Sequence, residues 1–530
     1  MFNRRTLITS SLAAFALAGT ACSAPSNSGG GSGPRSMLLA DGYEPSSLNP
    51  LLGYARYGAA KFYDGLLAFD GRGTLHPALA AEQPESTDDA RTWTVRLRRG
   101  VTFHDGSPFD AHDVVATYSA AVDPAYAATI SSDLSMLDSV EAVDEHTVRF
   151  RLNIPYAAWP ARMLMGILPK DALAEAAPQD RSPLNTEPVG TGPYRLAEWR
   201  RGERMIWRAN EDYWGGTPEV DEITVVFATD DNTRAQRVQA GEFDGTVLPP
   251  TLAGRIGGDS YRTVHHDTAD YRAITLPSDH PVTGDAAMRR ALNLAANRSG
   301  MVESLLGGHG TPAHTPVPAS MERYHAPEAR FDFDRERARR VLDEAGWTPG
   351  PDGIRQRNGT PARFTVMYFA DDTLRKKFAD AFASDAERVG VRVELAGVDR
   401  SEAAERIGTD AIVLGGGCPV DPDVQMYSAL HSSMIGTGTY RNPAKYRNDR
   451  VDSALDAGRN TVDPAERARH YKEAQRAYVA DPGLVYLAFV QHSYVMRRGV
   501  WDGYEPVVEP HTHGTTWGPW WNVEDWTPKS

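Results

Sequence analysis

FTVMYFADDTLRKKFADAFASDAERVGVRVEL, residues 364–395, is the stretch that decides the fold class. Its apolar residues alternate at both ends, as in half-buried strands, and recur at helical spacing between them. The alternating positions are Phe364, Val366, Tyr368, Val391, Val393 and Leu395, and the helical positions are Leu374, Phe378, Phe382 and Val389. Gly390 marks the end of the helix. A strand, a helix and a second strand in this order favour a parallel sheet with a right-handed crossover, and hence an α/β fold.

A glycine-rich loop follows the next buried strand. Residues 411–414, Ala-Ile-Val-Leu, run into Gly-Gly-Gly-Cys-Pro at 415–419. In open α/β sheets, ligands bind beyond the carboxyl ends of the strands. This loop is therefore a candidate binding loop, with a plain turn as the alternative. Upstream, Asp334 precedes a helical apolar pattern that ends at Gly346, which predicts a capped amphipathic helix.

The size and charge of the chain exclude some classes of protein. It has 530 residues, a formal net charge of −14 at pH 7 and two cysteines, Cys22 and Cys418. Single hydrophobic cores stop growing at about 250–300 residues, so we expect at least two lobes. The acidic balance argues against a nucleic-acid-binding protein. The cysteine content argues against a disulfide-stapled fold and provides no Cys-x-x-Cys metal spacing.

The amino terminus has the layout of an export signal. Arg4-Arg5 precede the apolar run 12–18, and Gly-Thr-Ala leads into Cys22. Small residues before a cysteine resemble a bacterial lipobox, so we expect residues 1–21 to be a signal peptide and Cys22 to carry lipid. Ordinary cleavage is the alternative, and twin-arginine export competes with the general route. The run is shorter than the roughly 20 residues that a spanning helix needs.

A flexible tether is predicted after the lipidated cysteine. The Ser/Gly-rich residues within 22–36 cannot bury apolar surface and should form a linker. Because the signal carries two positive charges and no acid, its removal changes the net charge from −14 to −16. We expect an extracytoplasmic protein, anchored to the cell membrane by lipid at Cys22, in the periplasmic space or at the cell surface.

A family resemblance is carried by motifs spread over nearly the whole mature chain. The central motif is Trp-Thr-Val-Arg-Leu-Arg at 93–98, followed by Val-Thr-Phe-His-Asp-Gly at 101–106 and Phe-Asp-Ala at 109–111. It closely resembles the signature of the peptide/nickel class, family 5, of extracytoplasmic solute-binding proteins of ABC importers. Later landmarks are Pro188–Tyr194, Tyr213–Gly215, Ala240–Asp244, Met288–Asn293 and Tyr471–Gln475.

The resemblance implies a two-lobed periplasmic-binding-protein-like fold of type II, cluster C, with an extra subdomain inserted in the first lobe. Two chain crossings join the lobes, and ligand is enclosed between them. The implied ranges are 37–78, 188–272 and 500–530 for the first lobe, 79–187 for the inserted subdomain and 273–499 for the second lobe.

The function implied by the resemblance is capture of peptides or peptide-like solutes by hinge closure and delivery to an ABC permease. It implies a monomer that uses no cofactor. A receptor for a nickel or other metal chelate is the alternative within the same family. A secreted enzyme is a remote alternative, because we find no nucleophile elbow Gly-x-Ser-x-Gly, no His-Glu-x-x-His and no phosphate loop.

Candidate ligand-binding residues follow from the resemblance. Three lie after a Leu-Asn-Pro landmark in the first lobe, two at the end of the strand at 364–369, three in the glycine-rich loop and one near the carboxyl terminus. They are Tyr54, Arg56, Tyr57, Tyr368, Asp371, Cys418, Val420, Asp421 and Trp520. Peptide-binding relatives place an aspartate, the partner of the peptide amine, where this chain has Cys418. For Trp520, the alternative is a purely structural role in packing the tryptophan-rich terminus.

Histidines give a weaker indication of metal binding. His431 lies near a histidine that nickel-chelate binders use on the metal, so it is a candidate, although a surface or packing role is the alternative. The pairs His265-His266 and His511/His513 are interpreted as surface features, because adjacent strand residues point to opposite faces. We therefore predict no metal site apart from the His431 candidate.

Overall fold

The computed structural model describes residues 35–511 and 514–529. The predicted signal peptide, Cys22 and most of the predicted linker lie outside these residues, as does His513. Among the helices in the described ranges, none combines the length and apolar character needed to cross a membrane.

Strands and helices alternate along much of the described chain. The strands are β1 (Ser36–Asp41), β2 (Leu67–Phe69), β3 (Leu75–Pro77), β4 (Glu85–Thr87), β5 (Thr92–Arg96), β6 (Leu137–Asp144), β7 (Thr147–Leu152), β8 (Tyr194–Arg200), β9 (Arg204–Ala209), β10 (Glu222–Phe227), β11 (Gly245–Leu248), β12 (Tyr261–His266), β13 (Tyr271–Thr275), β14 (Gly310–Pro312), β15 (Thr348–Pro349), β16 (Arg355–Arg357), β17 (Thr360–Pro361), β18 (Arg363–Phe369), β19 (Arg392–Val398), β20 (Ala411–Gly416), β21 (Leu484–Val490), β22 (His492–Arg497), β23 (Trp501–Asp502) and β24 (Thr527–Pro528). The helices are α1 (Ala111–Val122), α2 (Asp231–Gln239), α3 (Pro250–Ala253), α4 (Ala286–Ala295), α5 (Arg298–Leu306), α6 (Arg335–Glu344), α7 (Thr373–Glu387), α8 (Arg400–Arg406), α9 (Pro422–Leu430), α10 (Asp449–Asn460) and α11 (Pro464–Ala480).

Two large sheets define two lobes, and this confirms the predicted two-lobed α/β fold. The first lobe is built on the sheet β12-β22-β11-β1-β10-β9-β8, and the second lobe on the sheet β14-β21-β13-β20-β18-β19. The predicted strand–helix–strand unit is β18, α7 and β19, and the two strands pair in parallel. β20 runs parallel to β18 on its other side, so both strands end at the same edge of the sheet.

A smaller sheet, β4-β5-β7-β6, together with α1 forms the inserted subdomain. Its core is continuous with that of the first lobe, because buried residues of both belong to one apolar cluster. Val95 and Phe150 represent the inserted subdomain in this cluster, and Ile223 and Trp207 the first lobe. The subdomain is therefore packed as part of the first lobe.

The predicted ranges of the lobes remain a prediction, and strand pairing differs from them in two places. β13 begins at Tyr271, two residues inside the range predicted for the first lobe, yet it belongs to the second sheet. β22 lies in the range predicted for the second lobe, yet it pairs with β11 and β12 in the first sheet. The chain passes between the sheets at 267–270, from β12 to β13, and at Gln491, from β21 to β22. β1 begins at Ser36, the last residue of the predicted linker.

Candidate ligand-binding cleft between the lobes

Charged side chains from three parts of the fold line a cavity between the lobes. The first lobe contributes one residue, the inserted subdomain two and the second lobe three. They are Arg56, Asp133, Arg162, Asp423, Arg441 and Arg459. The hydroxyl groups of Ser132, Ser135 and Ser428 and the side chains of Tyr427 and Met434 complete much of the wall. The four guanidinium groups outnumber the two carboxylates, so the lining is cationic.

Asp133 is the point at which three of these guanidinium groups converge. The Arg441 guanidinium donates to Asp133 Oδ1 at 2.8 Å, and Arg56 and Arg162 lie 3.7 and 4.0 Å from its carboxylate oxygens. Burial alone would raise the pKa of Asp133, but the three arginines outweigh it and hold the pKa below its usual value. The carboxylate therefore stays ionised, and Arg441 connects the second lobe to the inserted subdomain.

Asp423 is the second carboxylate, and it is fully buried in the first turn of α9. Arg459 donates to both of its oxygens at 2.9 Å, and the Tyr156 hydroxyl donates to Oδ2 at 2.6 Å. Arg162 lies 3.9 Å away. Burial opposes ionisation, but Arg459 and Arg162 lower the pKa of Asp423. Since Tyr156 and Arg162 belong to the inserted subdomain, this network also spans the cleft.

Arg162 retains unused hydrogen-bonding capacity. Its side chain is 13% exposed, and its Nε is buried with no hydrogen-bond partner among the described residues. Buried donors of this kind are costly unless they are satisfied. A ligand atom with a lone pair would satisfy this donor, and an anionic group would also balance the cationic lining.

The glycine-rich loop after β20 contacts the first lobe. Val420 packs in an apolar cluster with Phe69, Val507 and Trp517 of the first lobe, and Tyr57 lies at the edge of that cluster. The two lobes thus touch through apolar and charged contacts.

Cys418 lies in this loop and is buried, with 2% of its surface exposed. Its backbone N–H donates to the Gln425 side chain. Burial raises the pKa of the Cys418 thiol to about 11, so the thiol is protonated at neutral pH. Tyr57 approaches it closely enough to interact electrostatically.

Four of the predicted ligand-binding residues therefore meet at the cleft: Arg56, Tyr57, Cys418 and Val420. Tyr54 lies on the same first-lobe segment, where its ring packs against Phe62 and Tyr63 with centroid distances of 6.3 Å. Their role in ligand binding stays a prediction.

Asp421 and Trp520 are engaged in structural contacts. Asp421 caps α9 and makes a two-point ion pair with Arg467, at 3.0 Å for each oxygen. Trp520 is 1% exposed and packs edge-on against Tyr494 in the first lobe. Both side chains are committed to the fold in this arrangement, which does not support a ligand contact for either.

The remaining predicted residues lie away from the charged lining. Asp371 has a side chain that is 73% exposed and lies 3.6 Å from Arg400. The Tyr368 ring lies against Gly397 of the neighbouring strand β19. His431 stacks on Tyr427 with a centroid distance of 4.2 Å, one layer behind the cavity wall. Among residues 35–511 and 514–529, no group of three His, Cys, Asp or Glu side chains has a metal-binding arrangement.

Five charged residues of the cavity were missed by sequence reasoning: Asp133, Arg162, Asp423, Arg441 and Arg459. Asp133 and its partner Arg441 are 308 positions apart, and no periodic pattern connects them. Only Asp423 lies close to a recognised landmark, two residues after Asp421 in the loop that leads into α9.

Comparison with known proteins gives one consistent result. The family model for bacterial extracellular solute-binding proteins, family 5 (Middle), matches residues 74–437. Protein XP55 of Streptomyces lividans is 44% identical over 504 residues, which cover 94% of this chain and 92% of that protein.

Two solved structures share the fold over almost their full lengths. NikZ from Campylobacter jejuni, in complex with Ni(L-His), has a TM-score of 0.85 and 25% identity, covering 93% of this chain and 99% of that one. AppA from Bacillus subtilis, an oligopeptide-binding protein in complex with a nonapeptide, has a TM-score of 0.81 and 25% identity, with the same coverage.

Proposed function

Because the chain belongs to the bacterial extracellular solute-binding proteins of family 5, we propose that it captures a peptide or peptide-like solute between its lobes and delivers it to an ABC importer. One observation carries this proposal. The cationic cavity is lined from both lobes and from the inserted subdomain, and its volume is about 20 Å³, so a solute admitted when the lobes separate would touch all three.

The chemistry of the cavity favours a solute with a free carboxylate. Arg56, Arg162 and Arg441 surround Asp133, and the lining retains an excess of two positive charges over its two carboxylates. Guanidinium groups match carboxylates in shape and donate charge-assisted hydrogen bonds. The carboxyl terminus of a peptide has this chemistry, and backbone carbonyls can accept further hydrogen bonds from the wall.

Delivery would depend on closure of the lobes around the solute. A ligand that contacts both lobes binds the closed form more tightly than the open form, and so shifts the population toward closure. Arg441 with Asp133, and Tyr156 with Asp423, already join the two sides in the closed arrangement. The closed form is the one that we propose the importer recognises.

A metal chelate is the second candidate ligand, because the cavity would equally accept the carboxylates of a chelator. The structural likeness to NikZ, solved with Ni(L-His), gives this alternative weight. In that case the chelator would bring its own metal donors, and the arginines would hold its carboxylates.

Binding assays with the Arg162→Gln variant test the carboxylate contact. Native mass spectrometry of protein purified without added ligand should reveal a peptide-sized adduct, and calorimetry with that peptide should give its affinity. We expect Arg162→Gln to weaken binding about tenfold or more, since hydrogen bonds to charged groups contribute about 1.5–3 kcal/mol. The matched control is Arg450→Gln, because Arg450 lies on α10 with a side chain that is 70% exposed.

Two outcomes of these measurements would count against the peptide proposal, and a third would exclude the contact with Arg162. A stability increase only with nickel and histidine or another chelator would favour the chelate receptor. No ligand-dependent shift with either class would contradict both candidates, since a tight ligand raises stability by mass action. Equal affinities for Arg162→Gln and Arg450→Gln would remove Arg162 from the binding site.

We also propose that lipid at Cys22 anchors the protein on the outer side of the cell membrane. We expect Cys22→Ser to move the protein from the membrane fraction to the soluble fraction, because the linker offers no other anchor. Cys418→Ser, which removes the only other cysteine, should stay in the membrane fraction. Fractionation with immunoblotting measures both variants, and membrane retention of Cys22→Ser would exclude the anchor.

Members of this family bind solutes, and we propose that this chain works as a monomer without catalytic activity or a cofactor. The raised pKa of Cys418 is consistent with this, since the thiol is the weakly nucleophilic form. Turnover of any substrate by the purified protein would contradict the proposal.

A further inference from the structure

A cluster of buried titratable groups lies where the two chain crossings meet. It consists of His266, Asp270, Arg272, His492, Tyr494, Tyr504, Glu509 and His511. We call it the hinge cluster. His266 belongs to a pair that was interpreted from the sequence as a surface feature, yet it is only 2% exposed, and His492 is 7% exposed. The interpretation of His266 as a surface residue is therefore wrong, because the strand face on which it lies is covered by the carboxyl-terminal segment.

The geometry of His492 determines its charge state. Nδ1 lies 2.8 Å from Glu509 Oε2, and Nε2 lies 3.0 Å from Asp270 Oδ2. Ionised carboxylate oxygens only accept hydrogen bonds, and a neutral imidazole has only one N–H. Both contacts are hydrogen bonds at once when His492 is doubly protonated and positively charged.

The other contacts of Glu509 are all donors. His266 Nδ1 lies 2.8 Å from Oε1, and the Tyr494 hydroxyl donates to Oε2 at 2.6 Å. His266 Nε2 faces the Tyr504 hydroxyl at 2.9 Å, so a neutral His266 can donate to Glu509 and accept from Tyr504. Glu509 is thus held as a carboxylate.

Asp270 is held from both lobes. Arg272, two residues further along the second-lobe strand, donates to Asp270 Oδ1, and His511 Nδ1 lies 2.6 Å from the same oxygen. Asp372 and Arg375, at the start of α7, lie close enough to Arg272 to interact with it electrostatically. Asp41 of β1 interacts in the same way with Tyr494. With Arg272 and a protonated His492, the two carboxylates of the cluster are balanced.

The hinge cluster lies at the two places where the chain passes between the lobes. His492 begins the first-lobe strand β22, directly after the crossing at Gln491, whereas Asp270 closes the other crossing and precedes the second-lobe strand β13. Glu509 lies on the carboxyl-terminal segment and pairs with Thr268 inside that crossing. One protonated ring therefore ties both crossings to the terminal segment.

We propose that the proton on His492 is a hinge lock, which favours the closed arrangement of the lobes and is released as the solution becomes alkaline. Loss of this proton leaves one uncompensated negative charge among buried groups, and an opening of the hinge relieves it by admitting water. The lock depends on neither the identity nor the presence of a bound solute.

The pH window follows from linkage. Burial alone would lower the pKa of His492, but Glu509 and Asp270 raise it to about 9. An open form with solvated His492 would have the ordinary pKa of about 6.5. The lock therefore acts at full strength below about pH 6.5. Between about pH 6.5 and 9, the ratio of closed to open molecules falls by up to about tenfold per pH unit. Above about pH 9 the lock no longer favours the closed form.

Two measurements on the ligand-free protein test the lock. In an NMR titration of the histidine ring signals, the His492 signal, identified by its absence in His492→Gln, should remain that of a charged ring through pH 8. Small-angle scattering should show a radius of gyration that rises from pH 6.5 to 9 in the wild type. In His492→Gln, the lobe separation should not change over this range.

The matched control is His265→Gln. His265 neighbours the cluster on β12, and burial and nearby histidines lower its pKa to about 4, so it is neutral throughout the window. This variant should keep the wild-type pH response. A His492 signal that titrates near pH 6.5 in the wild type would overturn the proposal even if His492→Gln fails to fold. A wild-type radius of gyration that is constant from pH 5 to 10 would also overturn it.

Discussion

Asp423→Ala is expected to lower the free energy of unfolding by about 3–5 kcal/mol, the range found when one partner of a buried ion pair is removed. Asp423 is fully buried and accepts hydrogen bonds from Nε and Nη2 of Arg459 and from the Tyr156 hydroxyl, and Arg162 lies 3.9 Å away. Its removal takes the counter-charge from Arg459 and leaves Arg162 with Asp133 at 4.0 Å, in a region shielded from water. The urea midpoint, followed by circular dichroism, should fall accordingly.

The matched control for this substitution is Asp371→Ala. The Asp371 side chain is 73% exposed, and its ion-pair neighbour Arg400 is 3.6 Å away. Exposed pairs of this kind contribute about 0–1 kcal/mol, so the midpoint should barely move. Asp423→Asn should fall between the two variants, because the amide keeps the shape and loses the charge. Equal midpoints for Asp423→Ala and Asp371→Ala would show that the buried network does not hold the lobes together.

Gly417→Ala is expected to lower the free energy of unfolding by about 3 kcal/mol or more. Gly417 has φ of +142°, a conformation that L-residues with a side chain rarely adopt, and a Cβ at this position would overlap the carbonyl of Ala269. Ala269 belongs to the crossing at 267–270, and the Gly417 carbonyl accepts from the His511 N–H at 2.8 Å. Because strain and overlap of backbone atoms add, thermal unfolding should shift to a clearly lower temperature.

Gly436→Ala separates the two contributions to this cost. Gly436 has φ of +80°, and a Cβ there would meet no atom within 4 Å. In this variant, only the strain of the left-handed backbone conformation should lower the free energy of unfolding, by about 1–2 kcal/mol. If Gly417→Ala lost no more than Gly436→Ala, the close approach of the loop to the crossing would not be a constraint on the fold.

Sequence patterns were sufficient for the local units of the fold, because these depend on neighbours along the chain. Apolar spacing at 364–395 located β18, α7 and β19 to within a few residues, and the glycine at 390 has the left-handed φ of +82° that ends a helix. The helix after Asp334 begins at Arg335, and the Asp334 side chain caps it by accepting from Arg337 N–H. The family resemblance supplied the long-range arrangement that local patterns cannot provide.

The charged site was less accessible to sequence reasoning, for a physical reason. Surface charges and cavity charges have the same appearance in sequence, and only folding brings Arg162 and Arg441 to distances of 4.0 and 2.8 Å from Asp133. Asp421 is a second example of a contact that local patterns do not reveal. It is the acid nearest to the family's ligand-binding position, but Arg467 on α11 already satisfies both of its oxygens.

The order of strands in the two sheets has a consequence for how the newly exported chain matures. The second sheet uses only residues between Tyr271 and Val490, whereas the first sheet combines β1, at Ser36–Asp41, with β22, at His492–Arg497. Contacts between distant parts of a chain form slowly, because a long loop must close first. The second lobe can therefore fold before the last strand of the first sheet is available. A shortened polypeptide that ends before residue 492 would have an incomplete first sheet, in which the exposed edges of β11 and β12 would promote aggregation.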